Sequence, residues 1–82
     1  MASNALETSS TIVTVAILEL LGRFRKGQSS SEIARALGLP VNTVGRITET
    51  MTKRGWLYRR EDDRRYVLTN RVADLTRPQV ND

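Results

Sequence analysis

Three consecutive residues, Gly38-Leu39-Pro40, stand between two helical patterns and constrain this chain more than any other feature. Ahead of them, Ser29-Ser30-Ser31-Glu32 has the form of a capping box: Ser29 accepts from a first-turn N–H while Glu32 reaches back to the Ser29 N–H. Ile33, Ala34 and Leu37 then make a short apolar face, Gly38 stops the helix after about two turns, and Leu39 is expected to pack inward from the turn. Beyond, Pro40 presets φ for a further helix over about Val41 to Arg54, with Val44, Ile47 and Met51 as its buried stripe. Asn42 or Thr43 is expected to cap it, and Gly55 to end it. A link this short forces a sharp change of direction. The first helix is also shorter than the ~12–15 residues at which isolated helices become marginal, so the second must hold it.

Upstream, Val13, Ile17, Leu20, Leu21 and Phe24 are spaced by three and four, with Ile12, Val15 and Ala16 widening the stripe. The β-branched run at 12–15 raises the alternative of a strand, and the continuation Ala-Ile-Leu-Glu-Leu-Leu decides for a helix over about Ser10 to Phe24. Arg23, Arg25, Lys26 and Gly27 close that helix and open a loop. Downstream of Gly55, Trp56 and Leu57 lead into Tyr58-Arg59-Arg60, an acidic turn Glu61-Asp62-Asp63, and Arg64-Arg65-Tyr66-Val67-Leu68. Two short apolar or aromatic segments around a polar turn read as a β-hairpin, and a turn without glycine leaves its register open. Trp56 is expected to cover the core beneath the hairpin. Residues 70–76, with Val72, Ala73 and Leu75, can form a closing helix ended by Pro78.

The expected fold class is therefore α+β: a small winged helix-turn-helix of three helices, a two-stranded β-hairpin wing and a short C-terminal helix. One domain over 10–76 is expected, with a flexible tail at 1–9 and a tail or truncated linker at 77–82.

Composition removes whole classes of function. The 82 residues include no Cys and no His, so disulfides, thiolate and imidazole metal sites, thiol nucleophiles and imidazole bases are excluded. The longest apolar stretch, Ile12 to Leu21, is broken by Thr14 and Glu19 and falls well short of the ~20 residues that span a bilayer. No basic residue precedes it, which argues against a signal peptide and for a cytoplasmic location. Asp62 and Asp63 share one turn with no third ligand or base nearby, so neither an enzyme nor a bound metal or cofactor is expected.

The net charge of +4, from 13 Lys and Arg against 9 Asp and Glu, becomes informative through its placement. Between residues 35 and 60 lie Arg35, Arg46, Lys53, Arg54, Arg59 and Arg60 against a single acid, Glu49. In a helix-turn-helix the second helix is offered to the major groove of DNA. Asn42 and Arg46, four apart, share one face of it; Asn pairs with adenine and Arg with guanine, each at about 1–3 kcal/mol of discrimination. Thr43 fits a thymine methyl or a phosphate. Asn42, Thr43 and Arg46 are thus the candidate base contacts, with Ser31, Arg35, Lys53, Arg59, Arg60, Arg64 and Arg65 as candidate backbone contacts. Glu49 is expected to pair with Lys53 at i,i+4. The three acids of the turn argue that the hairpin arms touch phosphates while its tip stays in solvent.

The segment Ala16-Ile17-Leu18-Glu19-Leu20-Leu21, the run Ser31-Glu32-Ile33-Ala34-Arg35-Ala36-Leu37-Gly38-Leu39-Pro40-Val41-Asn42-Thr43-Val44-Gly45-Arg46-Ile47, then Gly55-Trp56-Leu57 and Arg65-Tyr66-Val67-Leu68, together resemble the N-terminal DNA-binding domain of IclR-type bacterial transcriptional regulators. The resemblance spans about residues 11–76. It implies groove-facing contacts at Asn42, Thr43 and Arg46, and homodimerisation partly through the first helix, residues 10–24. Gly45 departs from the bulky polar residue usual there, implying a distinct base preference, and the acidic turn replaces a glycine common in the family hairpin. The family's larger ligand-sensing domain does not follow Asp82. The chain is accordingly expected to be either an excised domain or a stand-alone DNA-binding protein, and no small-molecule effector is assigned. A transcriptional regulator, with repression slightly favoured, is the leading expectation. The alternatives are a winged-helix protein-association module and an architectural DNA-binding factor of a phage or mobile element.

Overall fold

The computed structural model describes residues 9–72. Helix α1 is Ser10–Arg23, α2 is Ser30–Leu37 and α3 is Val41–Lys53. Strands β1, Leu57–Arg59, and β2, Tyr66–Leu68, follow as an antiparallel pair, and the chain turns helical again at 70–72. Three helices, a hairpin and the start of a closing helix make a small winged helix-turn-helix. Ala73 and Leu75, expected in that last helix, lie outside the described residues.

Each helix is bounded by local chemistry. Ser9, expected in the tail, caps α1 by accepting from the Ile12 N–H at 3.5 Å. The capping box of α2 is complete: Ser29 Oγ accepts from the Glu32 N–H at 3.1 Å, and Glu32 Oε1 accepts from the Ser29 N–H at 2.9 Å. Gly38 ends α2 in the left-handed region at φ 68°. The expected cap of α3 is corrected. Its N-cap is Pro40, without a side-chain hydrogen bond, because Asn42 and Thr43 are already inside the first helical turn.

The core joins one face of every helix to the hairpin. Val13, Ile17, Leu20 and Leu21 of α1 meet Ile33 and Ala34 of α2, Val44, Ile47 and Met51 of α3, and Leu57 and Tyr66 of the strands. Trp56 and Leu39 pack against this cluster, as expected of both. At about 1.5–3 kcal/mol per buried large side chain, this is what holds an eight-residue α2 in place. Thr48 is fully buried inside α3, and its hydroxyl donates to the Val44 carbonyl at 2.9 Å, which removes the cost of an unmet polar group. Ile12, Val15 and Phe24 correct the expectation that they join the core: each is 48% exposed, because α1 packs on one side only.

The hairpin pairs Leu57 with Leu68, Tyr58 with Val67 and Arg59 with Tyr66. A third segment joins it that periodicity does not reveal. Tyr66 N–H donates to the Gln28 carbonyl at 2.8 Å and Gln28 N–H to the Tyr66 carbonyl at 3.2 Å, so the loop after α1 contributes a one-residue bridge on the far side of β2.

Candidate nucleic-acid interface

Helix α3 turns Val44, Ile47, Thr48 and Met51 inward, so the residues between them face out. Asn42 and Arg46 are exposed, one turn apart, and Thr43 is half-buried beside them. Neither Asn42 nor Arg46 has a side-chain hydrogen-bond or ion-pair partner among the described residues. The missing side-chain cap of α3 has the same origin, since Asn42 and Thr43 carry no structural duty at the helix start. Gly45 directly precedes Arg46 on α3 and is half-buried. A Cβ built there meets nothing within 4 Å, so no close contact in the fold demands glycine.

Farther along, Glu49 and Lys53 form the expected i,i+4 ion pair at 3.7 Å. Both are well exposed, so the pair adds only a few tenths of a kcal/mol, about 0.3–0.5, and leaves Lys53 able to exchange partners. Between this side of α3 and the hairpin runs an open cleft of about 600 Å³, lined by Ser30, Gly45, Glu49, Lys53, Arg59 and Tyr66 among others. Ser31 and Arg35 are exposed on α2, Ser31 in its first turn and Arg35 in its last.

The four candidate arginines of the hairpin fall into two groups. Arg60 is clasped by Asp63: Nε donates to Oδ1 at 3.1 Å and Nη2 to Oδ2 at 2.7 Å, and Nη2 also donates to the Lys26 carbonyl. Arg65 donates from Nη2 to Glu32 Oε2 at 3.0 Å. Arg59 lies over the Tyr66 ring, 5.6 Å from its centroid, a cation–π arrangement that leaves the charge unneutralised. Arg64 is exposed and has no ion-pair partner among the described residues.

These pairings shift the carboxylates. The Arg60 guanidinium, helped by the Arg65 N–H, holds the Asp63 carboxyl down to about 2 against its usual 3.8. The Ser29 N–H draws Glu32 below its usual value against the opposing effect of desolvation, and Arg65 adds to the lowering. Asp63 is thus a structural clasp. Its N–H donates to Asp62 Oδ1 and its Oδ1 accepts from the Arg65 N–H. This refines the expectation that the acidic turn merely rests in solvent. Glu32 likewise does two jobs with two oxygens, capping α2 with Oε1 and tying the hairpin to it with Oε2. No sequence pattern joins residues 32 and 65, so that tie is visible only in the fold.

Among the described residues no group of three or more His, Cys, Asp or Glu is placed to hold a metal ion, and no helix is long and apolar enough to cross a membrane. No curated protein and no solved structure matches the chain. The family model of the IclR helix-turn-helix domain matches residues 10–61, from the start of α1 through β1 into the turn of the hairpin. With more than half of its length matched, and with a bare-faced α3 set against a short capped α2, the chain belongs to the IclR helix-turn-helix family and carries the DNA-binding unit of a transcription regulator.

Proposed function

We propose that this protein binds double-stranded DNA in a sequence-specific manner, with α3 in the major groove and Asn42, Thr43 and Arg46 at the base edges. The observation that carries the reading is the pair Asn42 and Arg46, exposed one turn apart on the outer face of α3 and without partners among the described residues. Long polar side chains with nothing to bond in the fold are poised for donors and acceptors outside it. Gly45 lets the helix axis approach the bases closely at that point. Ser31, Arg35, Lys53, Arg59 and Arg64 supply backbone contacts, and the cleft between α3 and the hairpin suits one phosphodiester strand. Arg60 and Arg65 already hold internal partners and do not line that cleft.

Two copies of the chain joined through residues 10–24 would place two reading helices on a palindromic site and double a contact area that is small for one module. Ile12 and Val15, exposed on α1, support that arrangement. Regulation by occluding the polymerase, and hence repression, requires nothing beyond this binding.

The test is a salt-dependent selection from a random duplex pool, run with the wild type and with Arg46→Ala. Enrichment of a palindrome is expected, with Arg46→Ala losing about 5- to 150-fold in affinity for it, the equivalent of one bidentate guanine contact. Retention without enrichment would point instead to architectural binding. No retention even at low salt would favour a protein-association module.

A further inference from the structure

Among the described residues, Arg64 is the one non-glycine residue with positive φ, at 60°. It closes the turn of the hairpin: its N–H donates to the Arg60 carbonyl at 3.0 Å, while the Arg60 N–H donates to the Arg65 carbonyl at 2.9 Å. A residue with a Cβ is disfavoured there relative to glycine, and among the others Asn and Asp tolerate the region best. Arg64 gains nothing in return within the fold. Its side chain is exposed and meets no carboxylate among the described residues, in contrast to Arg60 and Arg65 on either side. Turn geometry would choose glycine here, and solvation alone would accept any polar residue. What remains is a long cationic side chain at the outer end of the hairpin, with no partner among the described residues.

We infer that Arg64 binds the DNA phosphodiester backbone and is kept at a cost to the turn, while Arg60 and Arg65 are positioning residues that lock the hairpin to the α1–α2 loop and to α2. The inference rests on the DNA-binding reading above and assigns unequal roles within its wing. Phosphate is the chemistry that fits, since Glu61 and Asp62 beside Arg64 oppose burial of the tip in a groove.

The experiment compares wild type, Arg64→Gly, Arg64→Lys and Arg65→Gln by thermal melting and by affinity for a random-sequence DNA duplex across a salt series. Arg64→Gly should melt roughly 4–8 °C higher, from relief of the left-handed backbone. Its plot of log affinity against log salt should be shallower by about 0.9, the loss of one phosphate contact. Arg64→Lys should keep both the wild-type melting and the wild-type slope. Arg65→Gln should weaken binding with the slope little changed. A wild-type slope in Arg64→Gly, or a lower melting temperature, overturns the inference while leaving the DNA-binding reading intact. Equal slope losses in Arg64→Gly and Arg65→Gln overturn the division of roles. Failure of the wild type to bind at low salt removes both readings together.

Discussion

Gly27 is the residue at which the fold tolerates least. Its φ of 103° is outside the range of ordinary side chains, and a Cβ there would lie 3.0 Å from Val67 Cγ1 and 3.1 Å from the Tyr66 carbonyl oxygen. Strain and collision act together, and both fall on the bridge between Gln28 and Tyr66. Gly27→Ala is expected to cost about 2 kcal/mol or more, seen as a fall in melting temperature of roughly 8–16 °C. In sequence Gly27 looks like an ordinary helix-ending glycine. The neighbour that makes it indispensable, Val67, is forty positions away. The same distance hides the Glu32–Arg65 tie, whereas the capping box, complete within four residues, was plain to read. Base-facing candidates were legible for a different reason: once Val44, Ile47 and Met51 are assigned to the core, the helical period leaves Asn42 and Arg46 outside.

At the scale of elements, the helices follow from their spacing and caps, and the hairpin from its alternation around a polar turn. The edges of these assignments failed where burial rather than periodicity decides. Ile12, Val15 and Phe24 fit the apolar stripe of α1 by number, but no element packs on that side among the described residues. The wing illustrates how charge can build an element as well as decorate it. Asp63 titrates at about 2 when folded against 3.8 normally, so the stabilisation is complete above about pH 4 and is lost as the pH falls toward 2. The protection of the Arg65 amide, which donates to Asp63 Oδ1, measured against its intrinsic exchange rate at each pH, should therefore fall across that window. Asp63→Asn should show the lower protection already at neutral pH and little further loss of it on acidification. An Arg65 amide equally protected at pH 2 and pH 7 would contradict the clasp.

For the molecule as a whole, the uncovered apolar side of α1 is the surface on which the proposed pairing depends. Ile12→Glu with Val15→Glu removes it without entering the core, and a carboxylate in the first turn suits the positive end of the helix. The double variant is expected to keep its helical spectrum and melting behaviour while sedimenting as a monomer. It should retain affinity for a half-site but lose the extra affinity that a palindrome confers, a loss on the order of 100-fold if the two modules are coupled as linked sites usually are. A wild-type chain that is already monomeric at micromolar concentration on DNA would exclude dimerisation through this face.

Helix α3 follows an N-cap at Pro40, needs no side-chain cap from Asn42 or Thr43, and leaves room above Gly45. The positions that would meet the bases are therefore almost decoupled from those that hold the domain together. Exchanges at 42, 43, 45 and 46 can alter what is recognised while folding is barely disturbed. Such a scaffold can diversify its targets by substitution at a handful of sites, in natural lineages or in a designed library, without first acquiring spare stability.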